Sequence, residues 1–359
     1  MRKNEFLFIA IPLLFNVTGA RSAEPAEIKV LSFNIWQEGT SIRSGYQAIV
    51  DRIADVDPDI VTLVEVRNYK DDFLKRLAND LDKRGLHYHY ASTFAKYGKK
   101  QTADLNHKGT DDTGILTKYP ITAYDSAKKS TRAELDINGR SAVVYAVHLD
   151  YQKLAQYEPR GYSGDCCAYS ANPNIIIDEK KMLAYNAQSK RPAQIRAVLE
   201  DADAFRKQKD IVIVAGDFNE PSHLDWTENT RNQYGHNGAV INWTTSSLMT
   251  TAGYTDSFRT LHPNEVLNPG FTWLANNTER LNPDIKDPGI DERDRIDFIY
   301  VNDNSGLKIL SSKTYGPAGE VTGGVRDSGE IESEKISVPA GKIWPSDHLA
   351  VLTTFGLTD

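Results

Sequence analysis

Residues 211–221 read Ile-Val-Ile-Val-Ala-Gly-Asp-Phe-Asn-Glu-Pro. An unbroken apolar run, mostly β-branched, leads into a glycine and then a knot of polar groups. That is the pattern of a strand covered on both faces and ending in a turn. Asp217 and Asn219 stand two apart, so an extended backbone would aim both side chains at one face. Similar runs occur at Ile28–Phe33, Ile60–Val64, Ala142–Val147, Ile296–Val301 and Leu349–Phe355. Between some of them, apolar residues recur at three- and four-residue spacing over Tyr46–Ala54, Asp71–Asp82 and Ala193–Phe205, which predicts amphipathic helices. Doubly covered strands interspersed with such helices predict a layered molecule with sheets inside and helices outside.

The chain has 359 residues, 40% hydrophobic and 25% charged, which excludes a disordered or collagenous polymer. A chain this long buries roughly 75% of its unfolded surface, so a metal or cofactor would serve chemistry and not core stability. Polar motifs run from residue 34 to residue 348 and must converge to act together, which favours one catalytic domain over residues 23–359. Segments 151–190 and 302–345 are rich in Gly, Pro, Ser, Lys and Tyr and read as loop insertions over one face.

Arg2 and Lys3 precede an apolar run from Phe6 to Phe15 and the small-residue stretch Thr18–Ala23. A basic end, a short apolar centre and small residues predict a signal peptide over residues 1–22, cut near Ala20 to Ala23, and hence a secreted or periplasmic protein. The run is too short to span a bilayer, which takes about 20 apolar residues. The formal charge of −7 becomes about −9 once that segment is removed. An acidic chain lacks the basic footprint of a sequence-tolerant nucleic-acid binder, although a local cluster with bound metal can reverse the sign inside a cleft. The adjacent cysteines Cys166 and Cys167 cannot build a disulfide framework; a vicinal disulfide and a pair of small buried thiols both fit.

Polar residues recur where the apolar runs end: Asn34, Glu65, His148, the pair Asp217 and Asn219, Asp297, and the pair Asp347 and His348. Any one alone would be a turn cap. Together they are the groups that hold a hard divalent cation and move protons. With LSFNIW (31–36), VEV (64–66), HLDY (148–151), GDFNEP (216–221), RIDFIY (295–300) and SDH (346–348) in this order, the chain resembles the endonuclease/exonuclease/phosphatase superfamily, over about residues 27–355. That group contains deoxyribonuclease I, exonuclease III, neutral sphingomyelinases and inositol polyphosphate 5-phosphatases.

The resemblance implies an α+β, four-layer sandwich of two packed β-sheets flanked by helices. It also implies metal-dependent hydrolysis of a phosphate ester, with Mg2+ and sometimes Mn2+ or Ca2+. It gives Glu65 as the principal metal ligand with Asn34 and Asp347 beside it. Asp217 and Asn219 would orient the attacking water and the phosphate. His348 paired with Asp297 forms a histidine–carboxylate dyad, and His148 binds phosphate or protonates the leaving oxygen. Either His348–Asp297 or Asp217 would deprotonate the water.

Arg67, Tyr151, Arg160 and Trp226 lie near these motifs and could grip a substrate; a surface salt bridge, a solvated loop and core packing are their plainer readings. His87 and His89 alternate and would more simply be a polar sheet edge than a metal pair. The run Asp291–Arg295 reads as a solvated turn. Charge and the 151–190 insertion favour a non-nucleic substrate (a lipid head group, a sugar phosphate or an inositol phosphate) in a shaped pocket of a monomer. A secreted nuclease and a non-catalytic binding module are the alternatives.

Overall fold

The computed structural model describes residues 26–97, 112–127, 130–165, 168–208, 210–275, 290–322, 325–326 and 334–358. The segment expected to be a signal peptide and the Cys166–Cys167 pair lie outside the described residues. Among the described residues there are seventeen strands: β1 Glu27–Asn34, β2 Ile60–Val64, β3 His89–Ala91, β4 Thr113–Thr117, β5 Ile121–Ala127, β6 Ser130–Ile137, β7 Arg140–His148, β8 Tyr162–Asp165, β9 Ala168–Ala171, β10 Ile211–Asp217, β11 Tyr254–Asp256, β12 Asp297–Asn302, β13 Leu307–Gly316, β14 Val321–Thr322, β15 Val325–Arg326, β16 Lys335–Ser337 and β17 Ala350–Leu357. All six apolar runs are strands, and the three helical spacings are the helices Gly45–Val56, Phe73–Asp82 and Arg191–Lys207.

Among the described residues two large sheets form, one of seven strands in the order β16-β13-β17-β1-β2-β4-β3 and one of six in the order β11-β12-β10-β7-β6-β5, with β8–β9 and β14–β15 as separate two-stranded pairs. Ile28, Val30, Ile60 and Val351 of the first sheet pack on Ala142, Val144, Ile211, Ile213 and Ile299 of the second, closing the central core. The opposite face of the first sheet, through Leu31, Phe33 and Leu63, buries the apolar stripes of the helices Gly45–Val56 and Phe73–Asp82. The opposite face of the second, through Val143, Tyr145 and Val212, buries Ile195, Val198 and Met249 of the helices Arg191–Lys207 and Thr244–Thr251. This is the expected four-layer α+β sandwich.

Within each sheet the central pair is parallel, β1 with β2 and β7 with β10. Parallel neighbours end side by side, so Asn34 at the end of β1 is opposite Val64 and adjacent to Glu65, while Asp217 at the end of β10 is opposite His148. Antiparallel β12 starts at the same edge, with Asp297 opposite Asp217. Gly216 makes that edge possible: at φ +145°, a Cβ there would lie 2.0 Å from the Val147 carbonyl oxygen.

Two readings of the insertions need correction. Segment 302–345 is no loop excursion, because β13 is hydrogen-bonded between β16 and β17 inside the larger sheet. Its polar alternation arises because part of β13 is exposed on one face. Segment 151–190 carries the hairpin β8–β9 and the helix Glu179–Asn186, with its own core of Leu154, Tyr157, Tyr162, Tyr169 and Ile290. The Asp291–Arg295 run is buried at Glu292, Asp294 and Arg295 and partly buried at Asp291 and Arg293, not a solvated turn: Arg295 is ion-paired to Asp225 at 2.9 Å and to Asp256 at 2.7 Å.

Candidate active site

Strand ends from both sheets meet at one buried cluster. Asn34 donates from Nδ2 to Asp217 Oδ2 at 3.1 Å and to Glu65 Oε1 at 3.5 Å, and lies 3.3 Å from His348 Nε2. His348 Nδ1 is 2.8 Å from Asp297 Oδ2, and its Nε2 is 3.8 Å from Asp217 Oδ2. His148 Nε2 approaches the same Asp217 oxygen at 3.9 Å from the other side. The expected dyad is therefore formed, and Asp217 sits between two imidazoles.

The turns that deliver these groups are strained. Glu65 has φ +68°, Asn219 has φ +49°, and Trp36, Gln37 and Glu38 are three consecutive left-handed residues at +41°, +54° and +62°. Non-glycine residues occupy that region at an energetic cost, and such outliers concentrate at functional sites. Compensation is local: Trp36 N–H donates to Asn34 Oδ1 at 3.0 Å and Gln37 N–H to Glu65 Oε2 at 2.8 Å. The left-handed turn also corrects the extended reading of Asp217 and Asn219. Asn219 instead donates its backbone N–H to Asp217 Oδ1 at 2.7 Å and its Nδ2 to the Leu149 carbonyl at 3.1 Å, so it braces Asp217.

Burial and like charge set the protonation states. Burial pushes Asp217 up to about 6, with Asp297 adding to the rise and the two histidines opposing it. Burial likewise pushes Asp347 up to about 7, His348 opposing and Glu65 adding. For His348, burial alone would favour the neutral ring, yet Asp297 and Asp217 outweigh it and lift the imidazole to about 10. His148 is also raised against the effect of burial, chiefly by Asp112.

Asp112 is a residue of the cluster that sequence reasoning missed. Both its carboxylate oxygens lie 2.9 Å from His148 Nδ1, and Arg67 reaches one of them at 2.5 Å while also touching Glu65 at 3.5 Å. It precedes β4 and has no apolar run ending at it, so nothing local marks it. Trp273 was missed too: half-buried, it packs its ring against His348 with centroids 5.0 Å apart.

Arg67 thus points into the cluster and is no surface salt bridge. Tyr151 is exposed. Arg160 and Trp226 are neither solvated nor available to substrate. Arg160 is ion-paired to Asp294 at 2.6 Å, while Trp226 stacks on His236 at 3.8 Å and donates from Nε1 to Asp294. His87 is paired with Asp82 and His89 is exposed at the start of β3, so they make no metal pair.

The donor set fits a divalent cation. Asp347 Oδ1 and Asp297 Oδ1 are buried with no hydrogen-bond partner, and carboxylates outnumber the cationic groups around them. Among the described residues, Asp217, Asp297 and His348 can each offer an atom within 4.8 Å of the others. His348 also engages Asp297, and Asp347 feels the charge of Glu65 beside it, so the acidic cluster could hold a divalent cation. Asn34, expected as a ligand, directs its Nδ2 to Asp217 and accepts from the Trp36 amide through Oδ1. Because ligating carboxylates must be ionised, Mg2+ is expected to raise the thermal midpoint by a few degrees at pH 8 and by much less at pH 5, below the raised values of Asp217 and Asp347. Equal shifts at both pH values in a calorimetric scan would count against a carboxylate-held ion.

Two packed sheets that gather acids, amides and histidines at the ends of their parallel strands define a class, the phosphoesterase and nuclease sandwiches. Residues 31–348 match the Endonuclease/Exonuclease/phosphatase family, and the chain belongs to it, a family of hydrolases acting on phosphoester bonds. An uncharacterized protein of Caenorhabditis elegans is 29% identical over 368 residues, covering 98% of each chain. The solved endonuclease/exonuclease/phosphatase from Bacteroides vulgatus is similar in fold at 14% identity and TM-score 0.51, over 92% of this chain and 99% of that one. TDP2 from C. elegans is similar at 18% identity and TM-score 0.50, over 92% of this chain and 74% of that one. Among the described residues, no helix is long and apolar enough to cross a membrane.

Proposed function

We propose that this chain is an exported, Mg2+-dependent phosphoesterase that hydrolyses a non-nucleic phosphate ester by direct attack of an activated water. The observation that carries the reading is the placement of Asp217 between the two imidazoles, each with its own carboxylate behind it. Asp217, raised to about 6, is matched to accepting a proton from water near neutral pH. His348, held cationic by Asp297, donates to a phosphoryl oxygen. His148, oriented by Asp112, donates to the departing oxygen. Asn34 and Asn219 fix the Asp217 carboxylate by two hydrogen bonds, one to each oxygen, and so keep it from rotating as the proton arrives. A cation held by Glu65 and Asp347 would offset charge building on the phosphoryl group.

The acidic net charge and the packed 151–190 segment support a small or head-group phosphate over a long polyanion. The start of the chain supports export, with cleavage near Ala20 to Ala23, which N-terminal sequencing of the secreted product checks. The purified protein is expected to hydrolyse bis(p-nitrophenyl) phosphate with Mg2+ and to lose that activity in EDTA. Comparison with a phosphomonoester, sphingomyelin and plasmid DNA then assigns the substrate class. Preference for DNA would replace the non-nucleic reading with a secreted nuclease. Inactivity on all four by a folded, Mg2+-binding protein would leave the binding-module alternative.

A further inference from the structure

The two halves of the His348–Asp297 dyad belong to different sheets: Asp297 opens β12 and His348 precedes β17. A short extended segment, Thr272–Ala275, joins them. Trp273 pairs with Asp294 on one side and with His348 on the other. The Ala275 N–H donates to the Asp347 carbonyl at 2.6 Å, and the Leu349 N–H donates to the Thr272 carbonyl at 2.7 Å.

Thr272 sits at the centre of this stitch, fully buried. β11 covers β12 only over residues 300–302, so the start of β12 has β10 on one side and no strand on the other. The Thr272 hydroxyl fills that gap: Oγ1 accepts from Ile296 N–H at 3.0 Å and from Asp297 N–H at 3.1 Å. One residue therefore holds Asp297 through its side chain and the strand carrying His348 through its carbonyl. A hydroxyl serves here because it has two acceptor lone pairs. Valine has the same shape and none.

We infer that Thr272 is a positioning residue that sets the distance and alignment between Asp297 and His348. It does not touch the reacting atoms; it acts through the dyad, by the backbone that carries Asp297 and the strand that carries His348. The inference rests on the catalytic reading of that dyad for its kinetic consequence, but its geometric content does not need a substrate.

Two readouts test it. The first is the proton NMR resonance of the His348 Nδ1–H, which a hydrogen bond to Asp297 moves far downfield and which His348→Gln assigns by removing it. Thr272→Val is expected to move that resonance upfield or broaden it, while Thr272→Ser, which keeps the acceptor, retains it. The second is hydrolysis of bis(p-nitrophenyl) phosphate. There Thr272→Val is expected to lower kcat by about 10- to 100-fold with KM within about twofold, and Thr272→Ser to recover most of the loss. An unchanged resonance in a folded Thr272→Val protein would overturn the inference even if the wild type hydrolysed nothing. A resonance lost in Val and Ser alike would overturn it too, since the hydroxyl would then not be the cause. If the Val variant does not fold, Thr272→Ser against Thr272→Ala repeats the comparison with a smaller change. A wild type that is inactive yet shows the hydroxyl-dependent resonance would sink the proposed function and leave the positioning role standing.

Discussion

Replacing His348 with glutamine is expected to lower kcat on a phosphodiester by roughly 10³- to 10⁴-fold, the range associated with losing a positioned proton donor. The imidazole serves two neighbours at once. Asp297 is 2.8 Å from Nδ1, and Asp217 is 3.8 Å from Nε2. Without its positive charge, Asp217 and Asp297 face each other across paired strands with less to separate them, and burial drives Asp217 further toward the neutral form. The variant should therefore lose activity most severely in the range where the wild type keeps Asp217 ionised. Glutamine is preferred to alanine because it fills the space beside Trp273 and can still bond Asp297. Single-turnover kinetics with matched melting curves checks the prediction. A loss of less than tenfold would remove His348 from the chemistry.

The largest effect on stability is expected at a group outside the reacting cluster. Arg191, wholly buried, donates from Nη1 to the Asp150 and Gln152 carbonyls at 2.6 Å each and from Nη2 to the Lys153 carbonyl at 2.8 Å. The Asn186 side-chain oxygen also accepts from it, and its Nε is 3.4 Å from Glu220. Glu220 in turn accepts from Asn186 Nδ2 at 2.6 Å and from the Thr245 N–H at 2.5 Å. The guanidinium thus ties the loop after His148 to the turn after Asp217. Burial lowers its proton affinity, a measure of how much the site depends on its partners. Arg191→Ala would leave a buried carboxylate and several carbonyls unpaired, and is expected to cost about 3–5 kcal/mol in urea unfolding. Arg191→Met combined with Glu220→Gln should cost less than the two single changes added together, because each alone strands the other. Strict additivity would mean that the two groups do not act as a pair.

Some of this architecture is written locally. A strand covered on both faces needs apolar residues without alternation, and each of the six runs is such a strand. The helix Phe73–Asp82 shows the same correspondence: Asp72 caps it by accepting from Lys75 N–H, and its apolar positions 73, 74, 77, 78 and 81 are the buried ones. Short edge strands were less legible. β3 has three residues and β16 three, too few for any period to show. β13 reads as loop in one dimension because its early residues alternate between exposed and half-buried, and a polar alternating strand resembles a polar loop in composition.

The site divides in the same way. Asn34, Glu65, His148 and Asp217 close apolar runs, Asp297, Asp347 and His348 open them, and those positions could be read in one dimension. Their order along the chain identified the family, because strand-end chemistry and strand order are both properties of sequence. What only the tertiary structure decided is which of these groups touch. Asn34 and His348 are 314 positions apart and come to 3.3 Å because β1 and β17 pair within one sheet and the second sheet packs across it. Asp112 became His148's partner, Arg160 and Trp226 became struts, and Thr272 became the pin between two sheets for the same reason. Local periodicity records which face of an element is buried; it carries no information about which distant element will lie against that face. That choice is made by packing complementarity and by the need of each buried polar group to find a partner, and both exist only once the layers have closed.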